Sequence, residues 1–147
     1  MPGRALCPRG LSQTMETKLI NPASLAKPRG YTHGIKISGA ASLLVLGGQV
    51  AWDQEGQLVG SGDIIAQFDK ALENLLAVVL DAGGSAENIV KLNLYVTDKA
   101  AYLAGAKEAG QAYRKHMGKH FPAMTLVEVK SLYEDGAMIE IEGLAFF

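Results

Sequence analysis

A strand pattern enclosed by two helical patterns constrains this fold more than any other feature of the sequence. Apolar residues occupy every second position from Val90 to Val96, and the residues between them are Lys91, Asn93 and Tyr95. Strict alternation indicates a strand with one buried face, and a 3,4,3,4 spacing of apolar residues indicates a helix. The first helical stripe is Ile65, Phe68, Leu72, Leu75 and Val79, and the second is Leu103, Ala106, Gly110, Tyr113 and Met117.

The remaining strands are predicted on either side of this unit. Asp63 is a suitable N-cap for the first helix, which Gly83-Gly84 ends, and Gly118 ends the second helix. The alternating Ile35 and Ile37 and the apolar run 43–46 predict two strands paired as a hairpin. Two more strands are predicted at Met124–Lys130 and Met138–Phe146, with a tight turn at residues 134–136 between them.

The order ββαβαββ predicts an α+β fold. Helices that join strands require crossover connections, so both apolar stripes pack on one face of one mixed sheet. The chain has no further element to cover the opposite face. We expect that face to be apolar and exposed, which is typical of an interface, and therefore a homo-oligomer.

Composition excludes several functional classes. A formal net charge of −1 provides no basic surface for nucleic acid. The single cysteine, Cys7, excludes an internal disulfide, and the three histidines share no metal-binding motif with a carboxylate. No apolar run reaches the roughly 20 residues that span a bilayer, and no secretory signal is visible. We therefore expect a cytoplasmic protein without metal or membrane contact.

The N-terminal residues have no packing pattern. Residues 1–18 contain two prolines and two glycines without hydrophobic periodicity, so they are predicted to form a flexible extension. The segment could also be a transit peptide or lie before a biological start at Met15. Residues 19–147 are predicted to form a single domain.

Five blocks of the sequence, in order, resemble the RidA/YjgF family, also called the endoribonuclease L-PSP family. They are LLVLGGQV at 43–50, GDIIAQFDKALENLLAVVLDAGG at 62–84, IVKLNLYVTD at 89–98, FPAMTLVEV at 121–129 and GAMIEIEGLAF at 136–146. The resemblance covers about residues 21–147. It implies a YjgF-like, chorismate-mutase-like fold and a homotrimer with a barrel core. It also implies hydrolysis of reactive enamines and imines, without a cofactor, in clefts between subunits.

The resemblance also suggests which residues form the site. Glu140 matches the family's glutamate that positions the attacking water. The matching substrate-binding positions are Tyr31, Gly47, Gly48, Gln49, Lys107, Met124 and Leu126. Several of them depart from the family pattern: Gly47 replaces a serine, Lys107 is only the nearest residue to an expected asparagine, and Leu126 replaces a common cysteine.

Met124 is the most consequential departure, because it replaces the arginine that grips the substrate carboxylate. Methionine cannot form the planar, charged, bidentate contact that arginine makes with a carboxylate. We therefore expect 2-imino acids to bind poorly. Three functions remain open: a hydrolase for a related imine or carbonyl compound, a trimeric small-molecule-binding protein without catalysis, and a ribonuclease or translation inhibitor.

Overall fold

A four-stranded mixed sheet with helices on one face forms the centre of the molecule. The computed structural model describes residues 14–147. The strands are β1 (Glu16–Ile20), β2 (Gly34–Ser38), β3 (Leu43–Gln49), β4 (Ile89–Val96), β5 (Ala123–Glu128) and β6 (Ile139–Phe146). The helices are α1 (Ile64–Asp81), α2 (Lys99–Ala104) and α3 (Ala106–Met117), with a short 3-10 turn at Ala86–Asn88.

The order of strands across the sheet is β3-β6-β4-β5. β4 and β5 are parallel and the other neighbours are antiparallel, so the sheet is mixed as predicted. Helices α1 and α3 pack on one face and enclose the core, which confirms the α+β fold. The core includes Phe68, Leu72, Leu75 and Val79 of α1, Tyr113 and Met117 of α3, Leu92, Leu94 and Val96 of β4, and Ile139 and Ile141 of β6.

Helix α1 is organised by polar groups as well as by its apolar stripe. The Asp63 side chain accepts hydrogen bonds from the backbone N–H groups of Ile65 and Ala66, both at 3.0 Å, and so caps the helix. Gln67 is fully buried. Its amide donates to the carbonyls of Gly60 and Gly136, and its oxygen accepts from the Met138 N–H. Gln67 therefore fixes two loops that precede α1 and β6.

The predicted hairpin between residues 35–37 and 43–46 is wrong. β2 pairs with β1 in a separate two-stranded antiparallel sheet, whereas β3 pairs with β6. Alternation reports which face of a strand is buried but not which strand lies beside it, so it could not identify these partners. Residues 16–18 belong to β1 and not to the predicted flexible extension. Thr14 and Met15 belong to no helix or strand, and residues 1–13 of that extension lie outside the described part of the chain.

The second predicted helix consists of two helices. Gly105 separates α2 from α3, and a Cβ at this position would overlap the side chain of Ile65. Leu103 was placed in the buried stripe, but 59% of its side chain is exposed. The change of axis at Gly105 explains this, because the 3,4 spacing is continuous only along a single helix. Of the described helices, none has the length and apolar character needed to cross a bilayer.

The sheet face opposite the helices is only partly the apolar surface that we expected: Leu43 and Val45 of β3 and Val127 of β5 are exposed on it. Polar residues cover it on the two central strands: Lys91, Asn93 and Tyr95 on β4, and Glu140 and Glu142 on β6. The polar members of the alternating pattern lie on this face, which we call the open face. The open face is therefore mixed, with polar side chains at its centre and exposed apolar side chains on its two edge strands.

Candidate active site

Glu140 lies on the open face, directly over the backbone of Gly48. β6 presents its side chain beside β3, where the pairing of β3 with β6 shifts register between Leu46 and Gln49. A Cβ at position 48 would overlap the Glu140 carboxylate. Only glycine at this position leaves room for that carboxylate. Within residues 14–147, Glu140 is half-buried and no protein group donates a hydrogen bond to its side chain.

Glu142, two residues further along β6, has a different environment. The Tyr95 hydroxyl donates to Glu142 Oε1 at 2.6 Å, and the Asn93 amide donates to the same oxygen at 3.2 Å. The hydrogen bond to Glu142 raises the pKa of Tyr95, with further contributions from desolvation and from the charges of Glu142 and Glu140. One carboxylate of the pair is thus held by neighbouring side chains, while the carboxylate of Glu140 is available to a water or a ligand.

The other two members of the Gly47-Gly48-Gln49 segment lie at the same edge of the sheet. Gly47 is exposed, and a Cβ there would meet nothing within 4 Å. Gln49 is half-buried, and its side-chain amide donates to the Gly47 carbonyl at 3.3 Å. A serine at 47 would therefore fit, which means that its absence is a matter of chemistry and not of space.

Met124 and Leu126 lie on the helix face of the sheet and not on the open face. In the parallel register of β5 with β4, Met124 lies beside Leu92 and Leu126 beside Leu94, both of which are core residues. Met124 and Leu126 are half-buried and pack against that core. Within one chain, the structure therefore does not bring Met124 together with Glu140.

Tyr31 lies at the β5 edge, with Met124. Its neighbour Thr32 forms an isolated parallel bridge with Ala123, the first residue of β5. The Tyr31 ring contacts His33 edge to face, with ring centroids 5.4 Å apart, and it lines a cavity of about 530 Å³ with Lys27, Lys119 and Phe121. Tyr31 therefore belongs to the half of the site that contains Met124.

Lys107 does not join either half. It is exposed in the first turn of α3, away from the open face. Among residues 14–147 no group of three or more histidine, cysteine, aspartate or glutamate side chains could hold a metal ion. The arrangement consists of a carboxylate over a glycine at one edge of the sheet, and of an aromatic and apolar surface at the other.

The two halves lie on opposite edges of the sheet. Gly47, Gly48 and Gln49 belong to β3 at one edge, next to Glu140 on β6, whereas Met124 and Leu126 belong to β5 at the other edge. β3 and β5 are three strand spacings apart, about 14 Å. A site that uses both halves must draw them from two copies of the chain.

Sequence reasoning missed the function of three groups. It identified Gly48 only by its place in a motif, and not as the residue that makes room for Glu140. It placed Asn93 and Tyr95 on the polar side of a strand but did not identify them as hydrogen-bond donors to Glu142. The sequence does show that polar residues alternate along both β4 and β6. It does not show which residue of β4 lies beside which residue of β6, because the register of two strands depends on residues that are distant in sequence.

Comparisons with known proteins identify the family of the chain. The profile of the family Endoribonuclease L-PSP matches residues 22–147. The chain is 30% identical to a RutC family protein of Pyrococcus abyssi over 90% of this chain and 98% of that protein.

Solved structures agree as well. A Rid family protein of unknown function from Yersinia pestis, YyfB, superposes with a TM-score of 0.79 at 31% identity, covering 89% of this chain and 98% of that one. RidA from an Antarctic Psychrobacter gives a TM-score of 0.62 at 25% identity, covering 83% and 92%.

Proposed function

The chain belongs to the RidA/YjgF family, and from this premise we propose that it hydrolyses a reactive imine or enamine in a cleft between copies of itself. The observation that carries the proposal is the Glu140 carboxylate. It is half-buried, it lies over Gly48, and it has no hydrogen-bond donor among the described protein groups. Glu142 beside it is held by Tyr95 and Asn93. Glu140 is therefore the carboxylate that can bind a water molecule.

The proposed reaction needs one base and one water. Glu140 accepts a proton from the water as the water oxygen bonds to the imine carbon. Glu140 returns that proton to the nitrogen of the tetrahedral adduct and then transfers the adduct's hydroxyl proton to the same nitrogen as the C–N bond breaks, so that the nitrogen leaves as ammonia and the carbon becomes a carbonyl. A positioned carboxylate contributes about 10²–10⁴-fold to such a step. An enamine reacts by the same route after protonation to the imine.

The substrate we propose has an apolar body and is not a small 2-imino acid. Met124 and Leu126 form the surface that would face the substrate from the second copy, and neither can bind a carboxylate. The separation of the two halves also supports a homo-oligomer, which we propose to be a trimer. Sedimentation should then show a trimer at micromolar concentration, and a stable monomer would contradict the proposed cleft.

Substitution of the two neighbouring glutamates tests the chemistry. Glu140→Gln should lower kcat/KM for imine hydrolysis by about 10² or more, because the amide cannot accept the proton. Glu142→Gln is the matched control, since its oxygen can still accept from Tyr95 and Asn93, and it should retain most activity. Equal losses in the two variants, or full activity in Glu140→Gln, would refute the assignment of Glu140.

Binding without catalysis is the second candidate. The observation that favours it is the replacement of charged and polar positions by Met124 and Leu126, which leaves an apolar contact surface. If no imine is hydrolysed while apolar ligands raise the melting temperature, this second function is correct. Ribonuclease activity is less compatible with the site, because Glu140 and Glu142 place two carboxylates where phosphates would approach.

A further inference from the structure

We propose that a pocket behind Met124 binds an aryl carboxylate, with Arg114 as the cation that position 124 lacks. This inference builds on the proposed function, because Met124 lines both the pocket and the proposed cleft. The pocket lies between α2, α3 and the start of β5, and its volume is about 340 Å³. Small-molecule sites in proteins usually measure about 300–1,000 Å³.

Four aromatic side chains line this pocket. Phe68 and Tyr102 meet edge to face with ring centroids 5.8 Å apart, and Tyr113 stacks on Phe121 at 5.4 Å. The Tyr113 hydroxyl is already engaged, since it donates to the His120 carbonyl. These four rings provide both edges and faces for contact with another aromatic ring, which favours an aryl ligand.

Small residues of α3 create the concavity. Ala106, Ala109 and Gly110 line the pocket at spacings that place them on one side of the helix. The Arg114 guanidinium extends back over Gly110, because a Cβ built on Gly110 would lie 3.5 Å from its Nη1 atom. The guanidinium therefore lies along the pocket wall.

Arg114 has the properties of a ligand-binding cation. Within residues 14–147, no carboxylate lies within 4.0 Å of its guanidinium, whereas the adjacent Lys115 and His116 both pair with Asp69. Tyr102 also lines this pocket. Burial raises the pKa of Tyr102, so the hydroxyl remains a donor. A guanidinium and a hydroxyl beside aromatic walls fit a carboxylate attached to an aromatic ring.

The position of Arg114 also separates this ligand from a 2-imino acid. An arginine at position 124 would extend from β5, whereas Arg114 extends from α3, a different element of the pocket wall. A carboxylate held by Arg114 is therefore displaced from the substrate position that Met124 contacts. The substrate class implied is an aromatic compound whose carboxylate is not bonded to the imine carbon.

Calorimetric titration with phenylacetate and with phenylacetamide tests the pocket. The two probes have the same ring and differ in charge, so we expect phenylacetate to bind at least about tenfold more tightly, the advantage of a charge-assisted hydrogen bond. Arg114→Met should remove that advantage and leave phenylacetamide unchanged. Lys99→Met removes an exposed cation from outside the pocket and should change neither affinity.

A second variant tests the cavity itself. Gly110→Leu should fill the pocket and abolish binding of both probes, with its melting temperature measured to show that it folds. Equal affinity for the two probes, unchanged phenylacetate binding in Arg114→Met, or no binding of either probe to the wild type would overturn the inference. Glu140→Gln should bind phenylacetate normally, so a failure of the proposed hydrolysis and a failure of this pocket give different results.

Discussion

Replacement of Gly48 by alanine should inactivate the site without unfolding the protein. The new Cβ would lie 2.8 Å from Cδ of Glu140 and would overlap its Oε1 atom. Carbon atoms in contact are separated by about 3.5–4.0 Å, so the carboxylate must move by about 1 Å. A misplacement of about 1 Å can lower a rate by about 10². We therefore expect kcat/KM for imine hydrolysis to fall by about 10².

The effect on stability should be small by comparison. The group that must move is the end of a flexible side chain and not backbone, and the φ angle of Gly48 is negative. Alanine in place of glycine also restricts the unfolded chain, which stabilises by about 0.4–1 kcal/mol. The free energy of unfolding, measured by urea titration, should change by no more than about 1 kcal/mol.

Gly47→Ala is the matched control for Gly48→Ala. The two glycines are adjacent in β3, but a Cβ at position 47 meets no atom within 4 Å. Gly47→Ala should retain wild-type activity. In a Glu140→Gln background, Gly48→Ala should cause no further loss, because both changes act on the same carboxylate. A further loss there, or equal losses from the two glycine variants, would show that Gly48 does not act through Glu140.

Two further predictions concern stability. Gln67→Leu should destabilise the protein by about 2–4 kcal/mol in urea titration, because three backbone groups lose the hydrogen bonds that the fully buried Gln67 makes to them, whereas the exposed Gln111→Leu should stay within about 0.5 kcal/mol. Burial raises the pKa of Asp69, but hydrogen bonds from His116 and Lys115 and their charges outweigh it and lower the pKa below its usual 3.8. The Asp69 carboxylate therefore stabilises the fold above about pH 4 and loses this effect as the pH falls through its lowered pKa. Asp69→Asn should cost less than about 1 kcal/mol at pH 7, since the group is partly exposed. The difference from wild type should disappear near pH 2, and a difference that grows on acidification would contradict the assignment.

Local patterns predicted the parts of the fold that local forces determine. α1 begins after Asp63 and β4 follows the alternating run to Val96, because capping and burial of one face depend on neighbours in sequence. The partners of β2 and β3 could not be predicted, since strand pairing is set by distant residues. The break at Gly105 depends on the approach of Ile65, some 40 residues earlier in the chain, and was missed for the same reason.

In the candidate site, too, some features could be predicted from the sequence and others depend on residues that are distant in sequence. The family resemblance identified Glu140 and Met124 as site positions, but strand periodicity alone does not place them on opposite faces of the sheet. To place Glu140 and Met124 on opposite faces, one must know how β5 is aligned with β4 and how β4 is aligned with β6. Arg114 was missed because the pocket is lined by residues distant in sequence, such as Phe68 and Met124, and because the small residue Gly110 beside Arg114 is not a motif.

The separation of the two halves explains how the substrate could change while the chemistry is kept. Glu140 is held by β6 and by the space above Gly48, on the open face. Met124 lies on β5 and packs against the core on the helix face, two strands away from β6, which carries Glu140.

A substitution at position 124 changes the packing in the pocket that Arg114 lines, and residue 124 does not contact the Glu140 carboxylate of the same chain. The loss of an arginine from one half therefore does not imply the loss of the base from the other. In the proposed intersubunit cleft, the base would come from one copy and the ligand surface from the next, so that substrate preference could change independently of the reaction.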